Sequence, residues 1–237
     1  MINLRRKGCT DIWNAALCEG ATFCEDDIPF CPTTAKALPT AIITWDNAVC
    51  LYNKVIRCKN DWFRHNAFVC FYIDDHKFDG GNGVWKNPQR ALKILRHFAG
   101  VITPDFSTYQ DFPDPIKRTA TYRMRTLGYW FGKNGIAVIN NVRWGTPETY
   151  SYCFSGVPEK SIVAVSTVGG SPRKLRNRSR FENGLAEMVR KLSPHTILVY
   201  GSAKYSCFEK LKEQGIVIRS YPSKMAQAFE RRKNEQR

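Results

Sequence analysis

The sequence predicts an α/β fold wound as a (βα)-barrel, complete or one strand short, with an open doubly wound parallel sheet as the alternative. Three observations lead there. Seven short apolar runs rich in β-branched residues recur along the chain, helical patterns separate most of them, and the runs lack the in/out alternation of a sheet with one wet face. At 237 residues and 43% hydrophobic, the chain is large enough to enclose one such core.

Taken in order, the expected strands are Ala41–Trp45, Ala67–Ile73, Val101–Thr103, Ile136–Ile139, Ile162–Val165, Thr196–Tyr200 and Ile216–Ile218. The expected helices are Pro88–Phe98, Pro115–Lys133, Phe181–Leu192, Tyr205–Gln214 and Lys224–Lys233, with a shorter one over 147–154. Asp114-Pro115 places a capping side chain before a proline suited to the first helical turn. Gly135 and Gly215 follow helix ends, where a left-handed residue closes the last turn. Residues 1–40 carry four cysteines and show no periodicity. They read as an extension packed on the core, and 41–237 reads as one domain.

Nine cysteines, an odd number, go with a cytoplasmic chain of reduced thiols. Cys9, Cys18, Cys24 and Cys31 form no CxxC pair, so structural thiols are expected there rather than a zinc site. No run approaches the roughly 18 apolar residues of a membrane span, and MINLRRKGCTDIW has no apolar stretch of the signal-peptide kind. The net charge of +15 is lopsided: residues 101–237 hold 23 Lys and Arg against 11 Asp and Glu. A field of that sign favours nucleic acid or another polyanion as partner. The oligomeric state is not legible.

In a barrel the carboxyl ends of the strands converge on one face, and catalytic residues gather there. Asp46-Asn47 follows the first strand, Asp74-Asp75-His76 the second, Asp105 the third, and Asn140-Asn141 with Arg143 the fourth. Asp74, Asp75 and Asp105 come straight after apolar runs, where a carboxylate loses hydration and requires a partner. They are the expected catalytic residues, and together they make a candidate oxygen-ligand set for a divalent metal, Mg or Mn. Asn140 and Arg143 are expected to contact substrate. Gly169 and Gly170, followed by Arg173, Lys174 and Arg176 in a basic run extending to Arg180, offer a phosphate cradle, as do Gly201, Ser202 and Lys204. Neither loop matches a nucleotide-binding fingerprint. On the third helical pattern, Ile116, Ala120, Met124, Leu127 and Phe131 form a core face. Arg118, Tyr122, Arg125 and Tyr129 form a second stripe suited to phosphates and bases, while Arg123 requires an acidic partner.

The segments FYIDDHKF, ITPDFSTYQDFPDP, TYRMRTLGYWFG, VINNVRWG, FSGVPEKSIVAVSTVG and TILVYGSA resemble domain-of-unknown-function family 4417 from about Ala41 to Tyr221. That resemblance implies a prophage or plasmid context and assigns no reaction. The expected function is action on nucleic acid or a nucleotide, with metal-assisted phosphoester chemistry among the options. A non-catalytic nucleic-acid or nucleotide binder, and an acid/base barrel enzyme on a small carbonyl or sugar, are the rivals. Whether the chain is an enzyme stays open at this point.

Overall fold

The computed structural model describes residues 8–58, 62–169, 172 and 174–235, without the side chains of residues 56, 57, 176, 231, 234 and 235. Seven strands alternate with six helices: β1 Ile42–Thr44, α1 Trp45–Arg57, β2 His65–Cys70, α2 Pro88–Leu95, β3 Phe98–Ile102, α3 Asp114–Lys133 and β4 Val138–Asn141. Then come β5 Ile162–Ser166, α4 Leu175–Leu192, β6 Thr196–Tyr200, α5 Ser206–Glu213, β7 Val217–Tyr221 and α6 Lys224–Glu235. Short 3-10 turns occur at Ala15–Cys18, Asp75–Lys77 and Pro147–Ser151.

Every pairing is parallel, and the strand order is β1 to β7 without interruption. Crossovers of one hand that always step in one direction carry the helices to one face. The strands therefore follow in barrel order, but β1 and β7 do not pair, and the sheet remains an open half-barrel rather than a closed barrel. Alternation along each strand separates two cores. Val69, Val101, Val138, Val163 and Ile197 face the helices. Phe68, Cys70, Ile102, Ile139, Leu198 and Tyr200 fill the concave side. Gly100 makes room there, because a Cβ at that position would lie 2.4 Å from the Phe68 ring.

All seven strands overlap the apolar runs that predicted them, although β2 ends at Cys70 and β3 begins at Phe98, three residues early in each case, and the larger differences fall at helices. The run after β1 is helix α1, and Asp46 and Asn47 belong to its first turn rather than to a strand-end loop. No Gly or Pro separates β1 from α1, and the mixture of Val, Ile, Tyr and Trp disguises the helical period. Helix α4 starts at Leu175, six residues ahead of expectation, so most of the basic run is helical. Asp114 is the first residue of α3 rather than its cap, and its carboxylate accepts a hydrogen bond from the Tyr152 hydroxyl at 2.7 Å. Gly135 and Gly215 adopt φ of +82° and +86°, as helix-ending glycines do.

Residues 8–41 have little secondary structure and attach their backbone to the sheet. Thr34 and Ala35 donate N–H groups to the Val138 carbonyl, Cys31 donates to Gly156, and Tyr221 donates its hydroxyl to the Pro39 carbonyl. Nine free thiols are present among the described residues, and no described helix is long and apolar enough to cross a membrane.

Candidate functional site

After β3 the chain runs extended through Thr103-Pro104-Asp105, since proline disfavours the helical region for the residue before it. This delivers Asp105 to the rim, 7% exposed. Its Oδ2 accepts from Arg143 Nη1 at 2.6 Å and its Oδ1 from Asn141 Nδ2 at 2.8 Å. The Tyr72 hydroxyl donates to Asn141 Oδ1 at 3.0 Å, and Arg143 Nε donates to Thr108 Oγ1 at 3.3 Å. The rims of β2, β3 and β4 are thus joined by one continuous hydrogen-bonded chain. Burial pushes the Asp105 carboxyl above its ordinary value, against the pull of Arg143 and Asn141. Burial alone would weaken the Arg143 guanidinium's hold on its proton, but the Asp105 carboxylate more than offsets that and keeps it charged. The Tyr72 phenol is raised well above its usual value by burial and then by the Asp105 charge, so it remains a donor.

This chain lies beside a cavity of about 370 Å³. Tyr109, Trp144 and Phe181 give it aromatic walls, and Ser166, Asn177 and Arg180 give it polar ones. The early start of α4 matters here. Residues three and four apart share a helix face, so Asn177, Arg180 and Phe181 all reach the cavity. Gly184, one turn on, permits the close seat of Trp144: a Cβ there would stand 2.1 Å from the indole nitrogen. Arg180 makes no ion pair among the described residues, and no acceptor is found there for Arg143 Nη2.

The expected carboxylate triad does not assemble. Asp75 comes near, accepting from the Ser107 amide at 3.0 Å and the Ser107 hydroxyl at 2.8 Å, and it ties the β2 and β3 rims together. Asp74 points to solvent and pairs with Lys77 at 2.9 Å, which lowers its carboxyl below the usual range. Among the described residues no three His, Cys, Asp or Glu side chains are placed to hold a metal ion. The donor set therefore does not fit the expected Mg or Mn, since one carboxylate is absent and another is engaged by Arg143 and Asn141.

Asn140 is buried but faces the helix side, where its amide donates to the Cys31 carbonyl at 2.8 Å, so Asn141 is the rim residue. One step along a strand reverses the side, and no sequence signal distinguishes the two asparagines. Gly169 lines the cavity. Gly170 and Arg173 lie outside the described residues, as does the Arg176 side chain, while Lys174 is exposed just before α4. Gly201, Ser202 and Lys204 form the β6–α5 turn, held by a bond from Thr167 Oγ1 to the Ser202 carbonyl, and do not line the cavity.

The stripe on α3 does not present four free side chains, because the polar group of each is already engaged. Arg125 is wholly buried and donates to the carbonyls of Ser155, Asn141 and Cys153. Arg118 lies over the Tyr152 ring and pairs with Asp26 at 3.2 Å. Tyr122 and Tyr129 donate to the carbonyls of Trp13 and Glu19, both at 3.0 Å. The early segment of the chain covers this side of α3, which the helix's own periodicity does not foretell. Arg123 has the acidic partner it required, Asp79.

Similarity to known proteins agrees with a phage connection. The chain is 33% identical over 153 residues to Gene 1 protein of Mycobacterium phage D29, covering 65% of this chain and 54% of that one. It is 32% identical over 160 residues to Gene 1 protein of Mycobacterium phage L5, covering 68% and 66%. The match thus spans between about half and two thirds of those relatives' lengths. No solved structure matches the chain. A family model matches residues 27–222, starting earlier than the expected Ala41 and so taking in Cys31 and the backbone that binds β4. By that match the chain belongs to the family described as a domain of unknown function (DUF4417).

Proposed function

We propose that this protein binds a nucleotide unit, free or at an unstacked position of a nucleic acid, in the cavity at the β3–β5 rim. The observation that carries the reading is that Asn177 and Arg180 line one cavity together with Tyr109 and Trp144, beside the Asp105–Arg143 pair. Aromatic walls accept the flat face of a base, whatever its identity. Arg180 provides positive charge for phosphate and the Asn177 side chain a hydrogen-bonding group. Arg143, oriented by Asp105 and Thr108, keeps Nη2 for a ligand oxygen. Every wall residue comes from the stretch 101–237, which carries the excess of positive charge. The volume, about 370 Å³, is at the small end for ligand sites and suits one unit rather than a duplex.

In this reading Asp105 is a positioning residue. Both its oxygens already accept hydrogen bonds from Arg143 and Asn141, so it orients the guanidinium and shields it from water. Among the described residues the carboxylates do not converge on a point that could hold a metal ion.

Fluorescence titration of Trp144 with mononucleotides and short single-stranded oligonucleotides at low salt tests the reading. Binding is expected, with Arg180→Ala and Tyr109→Ala each weakening it by about tenfold or more. No binding by any of these ligands, or unchanged affinity in both variants, would overturn it.

A further inference from the structure

Among the described residues, two apolar surfaces have no partner, and their surroundings carry opposite charge. The larger is a groove of about 730 Å³ on the outer side of α3, twice the size of the rim cavity. Its floor is aromatic: the Tyr122 ring lies 6.5 Å from that of Trp13, tilted against it, and 6.3 Å from that of Trp85, edge to face. Ile12, 79% exposed, and Phe23 form one lip, and Asp26 and Asp27 stand at the rim. The surrounding stretch 8–40 has five carboxylates, Asp11, Glu19, Glu25, Asp26 and Asp27, against one basic residue, Lys36. Arg118 of α3 also lines the groove and pairs with Asp26, so the local excess of carboxylates is carried by Asp27 and its neighbours, in a chain of net charge +15.

The second surface is α6. Met225 and Phe229, four residues apart on one helix face, are 82% and 72% exposed. Arg232 follows one turn later on the same face, with Lys233 beside it, and both are exposed. The helix is pinned at its first residue, where Lys224 pairs with Asp46 and its amide donates to the Tyr200 hydroxyl. No residue of α6 lines the groove.

We propose that α6 of one copy docks into the groove of a second copy, with Met225 and Phe229 against the aromatic floor and Arg232 and Lys233 toward the exposed Asp27. This is the helix-in-groove mode, in which anchors at i, i+4 and i+7 enter an apolar channel. A methionine suits such a floor because its unbranched chain and polarisable sulfur adapt to aromatic rings. A helix of 12 residues is about 18 Å long, so one such contact is small and the association weak. Because groove and helix lie on different parts of the surface, the contact is heterologous, and each copy offers both halves.

Sedimentation equilibrium of the whole chain tests this, from about 1 to 500 µM at low and high salt. Reversible self-association is expected, with a dissociation constant on the order of 10–100 µM that weakens as salt rises. Phe229→Glu and Ile12→Glu change exposed side chains, leave the circular dichroism of the fold intact, and each weaken association at least about tenfold. Mixing the two variants is the decisive arm. Each retains the half the other has lost, so the mixture forms a one-to-one heterodimer while neither variant pairs with itself. A wild-type chain that stays monomeric throughout, a Phe229→Glu chain that associates like wild type, or a mixture that remains monomeric would each overturn the proposal.

Discussion

The β2 and β3 rims start from the same local pattern, an apolar strand ending in aspartate, and reach opposite outcomes. At β2, Asp74 lies in solvent and pairs with Lys77, three residues on. At β3, Asp105 is enclosed by Asn141 and Arg143, which lie 36 and 38 residues away. The strand does not decide which carboxylate becomes part of a site. The loops arriving from other strands decide it, by displacing water from one aspartate and not from the other.

The largest test of this contrast is a pair of alanine substitutions. Asp105→Ala leaves a charged, half-buried Arg143 without an acceptor for Nη1, so urea denaturation should show a loss of about 2–3 kcal/mol. Asp74→Ala should leave the urea midpoint where it is, because the exposed pair with Lys77 is screened by water. Equal effects at the two positions would dissolve the distinction. Asp105→Asn should cost less than Asp105→Ala, since it keeps an acceptor and removes the charge that burial penalises.

Next comes the wall opposite. Gly184→Ala forces its new methyl into the Trp144 ring, costing about 1–3 kcal/mol and shifting the indole into the cavity. Its diagnostic readout is ligand affinity falling along with stability. A smaller effect is expected at Asp75→Asn, which weakens the tie to Ser107 between the two rims by about 1 kcal/mol, read from the same denaturation curves.

The subtlest test uses pH, with opposite signs at two rim carboxylates. The folded value of Asp105 lies above its unfolded one, so its contribution is whole below the ordinary carboxylate range and is lost as pH rises through the folded value. Burial also opposes ionisation of Asp46, but the Lys224 and Thr44 bonds outweigh it and hold that carboxyl below its usual value. Its contribution is present above the unfolded value and is lost as pH falls. The stability of wild type relative to Asp105→Asn should therefore shrink as pH rises from about 4, and that relative to Asp46→Asn should shrink as pH falls below about 4. Slopes of the same sign would contradict the assignment of burial to one residue and ion pairing to the other.

Much of the fold was legible because its signals are short-ranged. Seven β-branched runs mark seven strands, and Gly135 and Gly215 mark helix ends. The core face of α3 is mostly as its period suggests, with Ala120, Met124, Leu127 and Phe131 buried and Ile116 half exposed. The site was legible only as a neighbourhood. Asp105 and Arg143 were within reach of sequence reasoning because one stands directly after a strand and the other shortly after the next. Asn177 and Arg180 would have emerged had α4 been extended back through its basic first turns, where they stand three residues apart. Tyr72 carried no signal, since a buried tyrosine looks like an ordinary strand residue, and Asn141 was marked only as one of two asparagines after the fourth strand, without a reason to prefer it to Asn140.

By itself, the sequence determined the parallel α/β alternation, the location of polar residues at strand ends, and the concentration of positive charge beyond residue 100. These follow from side-chain size, β-branching and backbone preference, which act between residues a few positions apart. Only the tertiary structure decided that the sheet stays open, that Arg125 lies in the core, and that residues 8–31 cover the arginine–tyrosine stripe. Those outcomes depend on which distant segments exclude water from a given side chain. Arg125 is buried because the carbonyls of Asn141, Cys153 and Ser155, 16 to 30 residues away, replace its hydration.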